Sequence, residues 1–204
     1  MTNPKQKRVS CATCQRPLKT CICHLITQVA PCLEIAILQH PSEVSQSKGT
    51  AWLAHQCLIG SQLFIGERLE NLPGLENWLA QGSVFLLYPV APNDFVESFD
   101  AHRLLVNCGG TNQAKPKVLV LDGTWRKTYR ILQSNPSLQV LPRVLLTAEL
   151  KGRYRIRKSS KSASLSTLEA IYALLMEVDP DGDYQVLINS FDGLMDLLES
   201  FTLK

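Results

Sequence analysis

The stretch LVLDGTWRKTYRIL, residues 119–132, decides the fold. It begins with an apolar run that predicts a buried strand over residues 117–122. The run ends in a carboxylate, a glycine, a hydroxyl and an indole, at Asp122, Gly123, Thr124 and Trp125. A helix is predicted from Trp125 to about residue 133, before the Asn-Pro pair at 135–136. Because ligands bind at the carboxyl ends of strands in open α/β sheets, this junction is the first candidate site.

The rest of the chain alternates between strands and helices in the same way. Further strands are predicted at residues 33–38, 62–66, 83–89, 104–107 and 143–147, and helices at 50–59, 72–80, 167–178 and through the C-terminus. Each strand is a continuous apolar run, which is typical of a parallel sheet covered on both faces. The sequence therefore predicts an α/β fold with a mostly parallel sheet and helices on both faces. The only predicted boundary lies near residue 31 and separates a Cys-rich module, 1–31, from an α/β domain, 32–204.

Composition narrows the class of protein. The chain has 204 residues, of which 45% are hydrophobic and 19% charged, so a sizeable core can form and wholesale disorder is excluded. It contains no run of eighteen apolar residues and no apolar signal core, which predicts a cytoplasmic protein without a membrane span. The net charge is only +3, but basic residues cluster at 5–19 and 151–161, which suggests a polyanionic partner.

Four cysteines near the N-terminus have metal-ligand spacing: Cys11, Cys14, Cys21 and Cys23. In a cytoplasmic chain, thiols are more often free or metal-bound than oxidised. Four thiolates complete a tetrahedral zinc shell and leave no position for water, so the predicted Zn²⁺ is structural. Two alternatives are four unrelated free cysteines and a redox Cys-x-x-Cys pair, and His24 is a possible competing ligand. The remaining cysteines, Cys32, Cys57 and Cys108, are predicted to be small core residues.

Asp122 and Trp125 form the candidate catalytic pair at the end of the predicted central strand. An aromatic plane beside a carboxylate suits a flat heterocycle such as a nucleobase or adenine. Gly123 permits a tight turn or the close approach of a ligand to the backbone. The simpler alternative is a strand-to-helix turn in which Asp122 or the Thr124 hydroxyl caps the helix, but this leaves a half-exposed Trp125 without a role.

A second candidate site lies at the start of the helix predicted over 167–178. Ser166 and Glu169 have the spacing of a capping box. A basic segment precedes them, and its alternation would place Arg153, Arg155 and Arg157 on one side of an extended chain. The N-terminus of a helix attracts carboxylates and phosphates. The alternative is a well-capped helix with solvated charges before it.

A third stretch, Gln39-His40-Pro41-Ser42-Glu43, follows the strand predicted at 33–38. His40 and Glu43 could act in catalysis, or they could satisfy backbone groups of the loop. Tyr88 and Pro89 end another strand and could supply a wall of a pocket.

Taken in order, CATCQRPLKTCIC, LQHPSE, LLYP, LDGTW, YRIRK and LSTLEA resemble the DTW-domain family of tRNA-uridine aminocarboxypropyltransferases. The resemblance covers residues 11–170, and LDGTW matches the family's D-x-T-W signature. The chain departs from the family pattern at Gln39, where a basic residue is more usual.

The resemblance implies an enzyme that uses S-adenosylmethionine and acts on tRNA. Such enzymes transfer the 3-amino-3-carboxypropyl group to N3 of a uridine, in bacterial members within the variable loop, and release methylthioadenosine. It also implies a fold near the SPOUT class, with a trefoil knot, which ordinary chain topology would not suggest.

The resemblance and the motifs together assign roles to residues. The catalytic set comprises Asp122 as general base or as the group that orients uracil, with Thr124 and Trp125 shaping the pocket. We expect desolvation beside Trp125 to raise the pKa of Asp122. The cofactor set is Leu87, Tyr88, Pro89, Leu121, Gly123, Ser164, Leu165, Ser166 and Thr167. The RNA-binding set is Arg153, Arg155, Arg157, Lys158 and Lys161. The alternatives are a SPOUT-type RNA methyltransferase and a non-catalytic zinc-containing RNA-binding protein. The sequence leaves the oligomeric state open between monomer and dimer.

Overall fold

A computed structural model describes residues 9–91, 95–106, 115–146 and 165–202. Within these ranges the chain forms one six-stranded sheet with the order β2-β1-β5-β3-β6-β4. All five strand pairs are parallel, as the continuous apolar runs predicted. The strands are β1 Glu34–Gln39, β2 Gln62–Ile65, β3 Val84–Leu87, β4 Ser98–Asp100, β5 Lys117–Asp122 and β6 Arg143–Leu145.

Seven α-helices lie in the same ranges. They are α1 Ala51–Cys57, α2 Pro73–Ala80, α3 Arg103–Val106, α4 Trp125–Ser134, α5 Pro136–Gln139, α6 Thr167–Val178 and α7 Gln185–Thr202. Short 3₁₀ turns occur at Leu18–Thr20, Cys23–Leu25, Pro41–Glu43 and Leu69–Asn71. None of the helices in the described ranges combines the length and apolar character needed to cross a membrane.

Helices cover both faces of the sheet, as predicted. Alternate residues of a strand point to opposite faces. Ile35 and Ile37 of β1 pack into a cluster with α1, α6 and α7, whereas Ala36 and Leu38 pack into a second cluster with α2, α4 and α5. The central strand β5 is buried along all six of its residues. Its carboxyl end is therefore held between two hydrophobic layers.

Two buried cations fix where strands begin. Lys117, the first residue of β5, donates from Nζ to the carbonyl oxygens of Trp78 and Gln81, at 2.8 and 3.4 Å, at the C-terminal end of α2. Arg143, the first residue of β6, donates to the carbonyl oxygen of Leu138 at 3.0 Å in α5. Cations are favourable at helix C-termini because carbonyl groups there lack partners within the helix.

The described part of the Cys-rich segment packs against the α/β layers. The Ile22 side chain is completely buried in the same cluster as β1 and α7. The Leu25 carbonyl oxygen accepts a hydrogen bond of 2.7 Å from Ser190 Oγ in α7. Arg16 donates to the Ser47 carbonyl oxygen at 2.8 Å. The division of the chain at residue 31 stays a prediction, but side chains on its N-terminal side belong to the main core.

Two sequence-based assignments were wrong. Residues 104–107 were predicted to form a strand, but residues 103–106 form the helix α3, because a short apolar run fits either structure. The strand β4, Ser98–Asp100, was missed because only one of its three residues is apolar. The SPOUT-like topology and the trefoil knot stay predictions, since the connection between β6 and α6, residues 147–164, lies outside the described ranges.

Candidate active site

A cavity of about 710 Å³ opens at the carboxyl ends of β3, β5 and β6. These three strands are neighbours in the order β5-β3-β6. Their last residues and the segments that follow supply most of the wall, and the first turn of α6 closes one side. The size lies within the range of small-molecule sites in proteins, which is about 300–1,000 Å³.

Asp122 lies beside this cavity without lining it. Its side chain is buried, and its two carboxylate oxygens have separate partners. Oδ2 accepts a hydrogen bond of 2.9 Å from Gln39 Nε2, and Oδ1 accepts a short hydrogen bond from Thr167 Oγ1. Thr167 itself lines the cavity, so its hydroxyl connects the cavity to the buried carboxylate.

The pKa of Asp122 is raised from its ordinary value, chiefly because burial disfavours the charged carboxylate. Hydrogen bonds from Thr167 and Gln39 act in the opposite direction but do not cancel the effect of burial. The direction agrees with the sequence-based expectation. Both hydrogen-bond donors are neutral, so Asp122 is not neutralised by a bonded cation.

Two aromatic rings form a corner of the cavity. Tyr88, directly after β3, and Trp125, the first residue of α4, meet edge to face with ring centroids 6.0 Å apart and an interplanar angle of 70°. Trp125 remains 55% exposed, as the sequence predicted. The Arg143 guanidinium lies 5.9 Å from the centroid of the Tyr88 ring. An exposed indole at the mouth of a cavity is available to stack on a planar ligand.

The start of α6 carries the predicted capping box. Ser166 Oγ accepts from the Glu169 backbone N–H at 3.3 Å, and the Ser166 N–H donates to Glu169 Oε2 at 2.8 Å. The Leu168 N–H donates to Thr50 Oγ1 at 3.3 Å. Two N–H groups of the first turn are thus already bonded. The helix start therefore offers fewer donors to an anionic ligand than the sequence suggested.

The loop after β1 is ordered by contacts of His40 and Glu43, which do not line the cavity. His40 Nδ1 accepts from the Ser42 backbone N–H at 3.2 Å, and its Nε2 lies 2.6 Å from Glu67 Oε1. Because Nδ1 accepts a bond, Nε2 is the nitrogen that donates. Glu43 pairs with Lys127 of α4 at 2.6 Å. Neither His40 nor Glu43 lines the cavity, which agrees with a role in ordering the loop.

Gly123 allows the loop to pass close to α4. A Cβ atom at this position would lie 3.1 Å from the Lys127 Cβ and 3.6 Å from the His40 Cβ. The contact with the Lys127 Cβ is tighter than ordinary packing, so a side chain here would displace the start of α4. The backbone at Gly123 thus lies close to the protein's own helix; because Gly123 also lines the cavity, the close approach of a ligand there stays a prediction.

The four N-terminal thiols come together as predicted. All four sulfur atoms, of Cys11, Cys14, Cys21 and Cys23, lie within 4.8 Å of one another, and His24 does not belong to the group. The distances between Cys11 and Cys23 and between Cys14 and Cys21 are 3.7 and 3.8 Å. Tetrahedral zinc with Zn–S bonds of about 2.3 Å requires sulfur separations of about 3.8 Å. The donor set and its spacing thus fit zinc.

The predicted site residues divide into three groups. Those that line the cavity are Leu87, Tyr88, Pro89, Leu121, Gly123, Trp125, Leu165 and Thr167. Those that lie next to it without lining it are Asp122, Thr124 and Ser166. Ser164 and the predicted RNA-binding residues Arg153, Arg155, Arg157, Lys158 and Lys161 lie outside the described ranges, as does Cys108.

One proposed contact is absent. Thr124 occupies the N-cap position of α4, but its side chain makes no capping hydrogen bond. Its carbonyl oxygen instead accepts from the N–H groups of Lys127 and Thr128, at 2.8 and 2.9 Å. The alternative in which the Thr124 hydroxyl caps the helix was therefore wrong.

Sequence reasoning missed the wall supplied by β6. Val144, Leu145 and Leu146 line the cavity because β6 lies next to β3. The strand was predicted, so the rule that ligands bind at carboxyl ends could have added these residues. Ala170, one turn into α6, was also missed, and it shares a helical face with Thr167. Cys57 is buried as predicted, whereas Cys32 is only partly buried.

Comparison with known proteins agrees with the family resemblance of the sequence motifs. A sequence model of the DTW domain matches residues 8–199. Over 175 residues, 82% of this chain, the sequence is 31% identical to "tRNA-uridine aminocarboxypropyltransferase 2" of Drosophila melanogaster. It is 28% identical over 81% of the chain to a Macaca fascicularis protein of the same name, and 23% identical over 87% of the chain to "tRNA-uridine aminocarboxypropyltransferase A" of Arabidopsis thaliana.

These relatives are longer than the matched region. The alignments cover 65% of the Drosophila protein, 55% of the macaque protein and 75% of the Arabidopsis protein. No solved structure is significantly similar to the chain.

Proposed function

The chain belongs to the DTW-domain family, and we propose that it transfers the 3-amino-3-carboxypropyl group of S-adenosylmethionine to N3 of a tRNA uridine, with the variable loop as target. Methylthioadenosine is the second product. The names of the relatives support this type of reaction. The observation that carries the proposal is the hydrogen bond from Thr167, which lines the cavity, to the buried Asp122.

The residues around the cavity suit S-adenosylmethionine. Leu87, Pro89 and Leu145 would pack against its adenosine, and Tyr88 and Trp125 offer ring faces or edges to adenine or uracil. When bound, the sulfonium supplies an electrophilic carbon and a good leaving group. The protein's task is to present that carbon, rather than the methyl group, to the nucleophile, because placement contributes much of the rate of such a reaction.

The arrangement of Asp122 and Thr167 provides a route for the N3 proton. N3 would attack the CH2 carbon that joins the aminocarboxypropyl group to sulfur; the bond between that carbon and sulfur would break, and its electron pair would stay on the sulfur of methylthioadenosine. The N3 proton passes to Thr167 Oγ1, and the hydroxyl proton of Thr167 passes to Asp122 Oδ1. Asp122 would thus act as a general base through one hydroxyl, within the reach that such catalysis requires.

Burial makes Asp122 a better base than an exposed aspartate. Its raised pKa brings its basicity closer to that of the uracil N3, whose pKa lies well above neutral. The hydrogen bond from Gln39 lowers the pKa of Asp122, but because this donor is neutral it does not cancel the effect of burial. A basic residue in its place would stabilise the carboxylate more strongly and make it a weaker base.

The thiol cluster would hold a structural zinc ion. Four thiolates fill the tetrahedral shell, so the ion would take no part in the chemistry. Structural zinc sites contribute about 10–16 kcal/mol of apparent folding free energy in small peptides. Such a contribution would order a segment whose buried Ile22 packs into the main core rather than into a core of its own. The basic segment 151–161 would bind tRNA phosphates.

Mass spectrometry of tRNA nucleosides after incubation with S-adenosylmethionine tests the function. A mass gain that fits aminocarboxypropyl on uridine, with methylthioadenosine as the second product, supports it. S-adenosylhomocysteine as the second product would indicate a methyltransferase instead. Absence of S-adenosylmethionine binding by calorimetry, with tRNA binding intact, would indicate a non-catalytic RNA-binding protein.

Two variants of Thr167 test the proton route. Thr167→Ser keeps the hydroxyl and should retain most of the turnover, whereas Thr167→Val removes it at similar volume and should lower kcat by about 100-fold or more. Equal activity of the two variants would contradict the route without contradicting the reaction.

A further inference from the structure

The exposed face of α4 carries two aromatic and two basic residues, which we call the α4 ridge: Trp125, Arg126, Tyr129 and Arg130. All four are exposed, while Thr128, Ile131 and Leu132 form the buried face. Spacings of three and four residues place the members of the ridge beside one another on the helix surface. The ridge begins at Trp125, which also lines the cavity.

The two aromatic side chains are not needed for packing. Trp125 is 55% exposed and Tyr129 is 58% exposed. A large aromatic side chain that stays exposed to water does not contribute the favourable free energy that its burial would give. Trp125 at least meets the Tyr88 ring, whereas Tyr129 makes no ring contact within the described part of the chain. Adjacent exposed aromatic residues of this kind mark interaction sites.

The charge of the ridge is positive. The α4 segment WRKTYRILQS contains three basic residues and no acidic one. Lys127 pairs with Glu43, and one nitrogen of Arg130 pairs with Glu67 at 2.9 Å. Arg126 forms no ion pair within the described residues. The Glu67 contact also fixes the position of the Arg130 guanidinium, which limits the entropy lost when it binds a ligand.

Aromatic faces interleaved with guanidinium groups are complementary to unpaired RNA. Bases splayed out of a loop stack on aromatic and Arg planes, while the phosphates bind to the cations. A duplex hides its base faces and would leave Tyr129 without a partner. Because Trp125 belongs to both ridge and cavity, nucleotides beside one held in the cavity would lie against the ridge.

We infer that the α4 ridge binds the unpaired nucleotides that flank the target uridine. Tyr129 stacks on a neighbouring base, and Arg126 and Arg130 bind the adjacent phosphates. This inference rests on the proposed function, because it takes a looped RNA as the substrate. It adds four residues of α4 to the basic segment 151–161, which was predicted from the sequence to bind RNA.

The test compares Tyr129→Ala and Arg126→Ala in the full-length chain. The controls are Gln133→Ala, an exposed residue of the same helix, and Phe95→Ala, an exposed aromatic residue elsewhere. Affinity is measured by fluorescence anisotropy with a stem-loop RNA and with a fully paired duplex of equal length. Calorimetry with S-adenosylmethionine checks that each variant keeps its fold.

Tyr129→Ala should weaken binding of the stem-loop by roughly 5- to 100-fold and leave duplex binding unchanged, because stacking on one base is lost. Arg126→Ala should weaken both and lower the slope of log affinity against log salt by about one. The two controls should remain within twofold of the parent protein.

Stem-loop binding by Tyr129→Ala within twofold of the parent would overturn the inference. Self-association that Tyr129→Ala abolishes, with RNA binding unchanged, would identify a protein interface and also overturn it. If Tyr129→Ala weakens RNA binding but the parent protein yields no aminocarboxypropyl product, the ridge stands and the proposed reaction fails. If the parent yields product and Tyr129→Ala binds and reacts normally, the reaction stands and the ridge fails.

Discussion

The substitution Gln39→Leu should shift the pH dependence of the reaction without abolishing it. Gln39 and Asp122 are 4% and 7% exposed, and the Nε2–Oδ2 distance is 2.9 Å. A hydrogen bond to a charged acceptor is worth about 1.5–3 kcal/mol net. Leucine has a similar volume and cannot donate, so the ionised form of Asp122 loses this stabilisation. Partial relaxation around the carboxylate places the loss near the lower end of that range.

One pKa unit corresponds to about 1.36 kcal/mol, so the loss of the Gln39 bond should raise the pKa of Asp122 by about one further unit. The proposed reaction requires the ionised carboxylate. The acidic limb of the profile of kcat/KM against pH should therefore move about one unit toward higher pH. At a pH on that limb, activity should fall by about tenfold, and at high pH it should recover.

The assay is the rate of methylthioadenosine release over a range of pH at limiting tRNA. Gln46→Leu serves as control, because Gln46 is exposed and bonds to the Ser42 carbonyl oxygen rather than to Asp122. An equal loss at every pH, with the limb in its original place, would refute the reasoning and reduce Gln39 to a structural residue.

Four further predictions concern Asp122, the thiol cluster and the binding of tRNA. Asp122→Asn should lower kcat by at least 100-fold while S-adenosylmethionine binding by calorimetry persists; unchanged turnover removes Asp122 from the chemistry. Because the folded-state pKa of Asp122 is raised, its contribution to stability is present below the ordinary Asp pKa and is lost as pH rises through the folded-state value. The melting temperature of Asp122→Asn should therefore fall less between acidic and neutral pH than that of the parent protein does. Parallel curves of melting temperature against pH would contradict this. Removal of zinc by a chelator, or Cys14→Ser, should lower the melting temperature, whereas Cys32→Ser should leave the zinc content at one ion per chain by elemental analysis. Affinity for tRNA should decrease steeply with salt, with a log–log slope of several units, and a flat dependence would exclude a phosphate-bound complex.

Local sequence patterns were sufficient for the elements that carry the site. The apolar run before Asp122 predicted β5, and the capping box at Ser166 predicted the start of α6. The spacing of the four N-terminal cysteines predicted the thiol cluster. In each case the residues that determine the structure are close in sequence. Local propensity and residue spacing are therefore sufficient to predict it.

Contacts between distant segments could not be predicted in this way. Gln39 and Thr167 meet Asp122 across 83 and 45 residues of sequence, and they do so only because β1 lies beside β5 and α6 starts at the same edge of the sheet. From sequence, Gln39 was merely a departure from the family pattern. The strand order, which inserts β5 between β1 and β3, is a property of the whole chain.

The burial of Ile22 against α7 has a consequence for the order of folding during synthesis. Leu25 contacts Gly193 and Ser190, which leave the ribosome long after the cysteines have emerged. A zinc ion held by the four thiols would be captured early, and Arg16 can bond to Ser47 soon afterwards, but Leu25 cannot reach its contacts with α7 until translation has passed residue 193. The segment therefore stays incompletely docked while the sheet is being assembled. Its docking is completed by the synthesis of α7, the helix that also packs on α6.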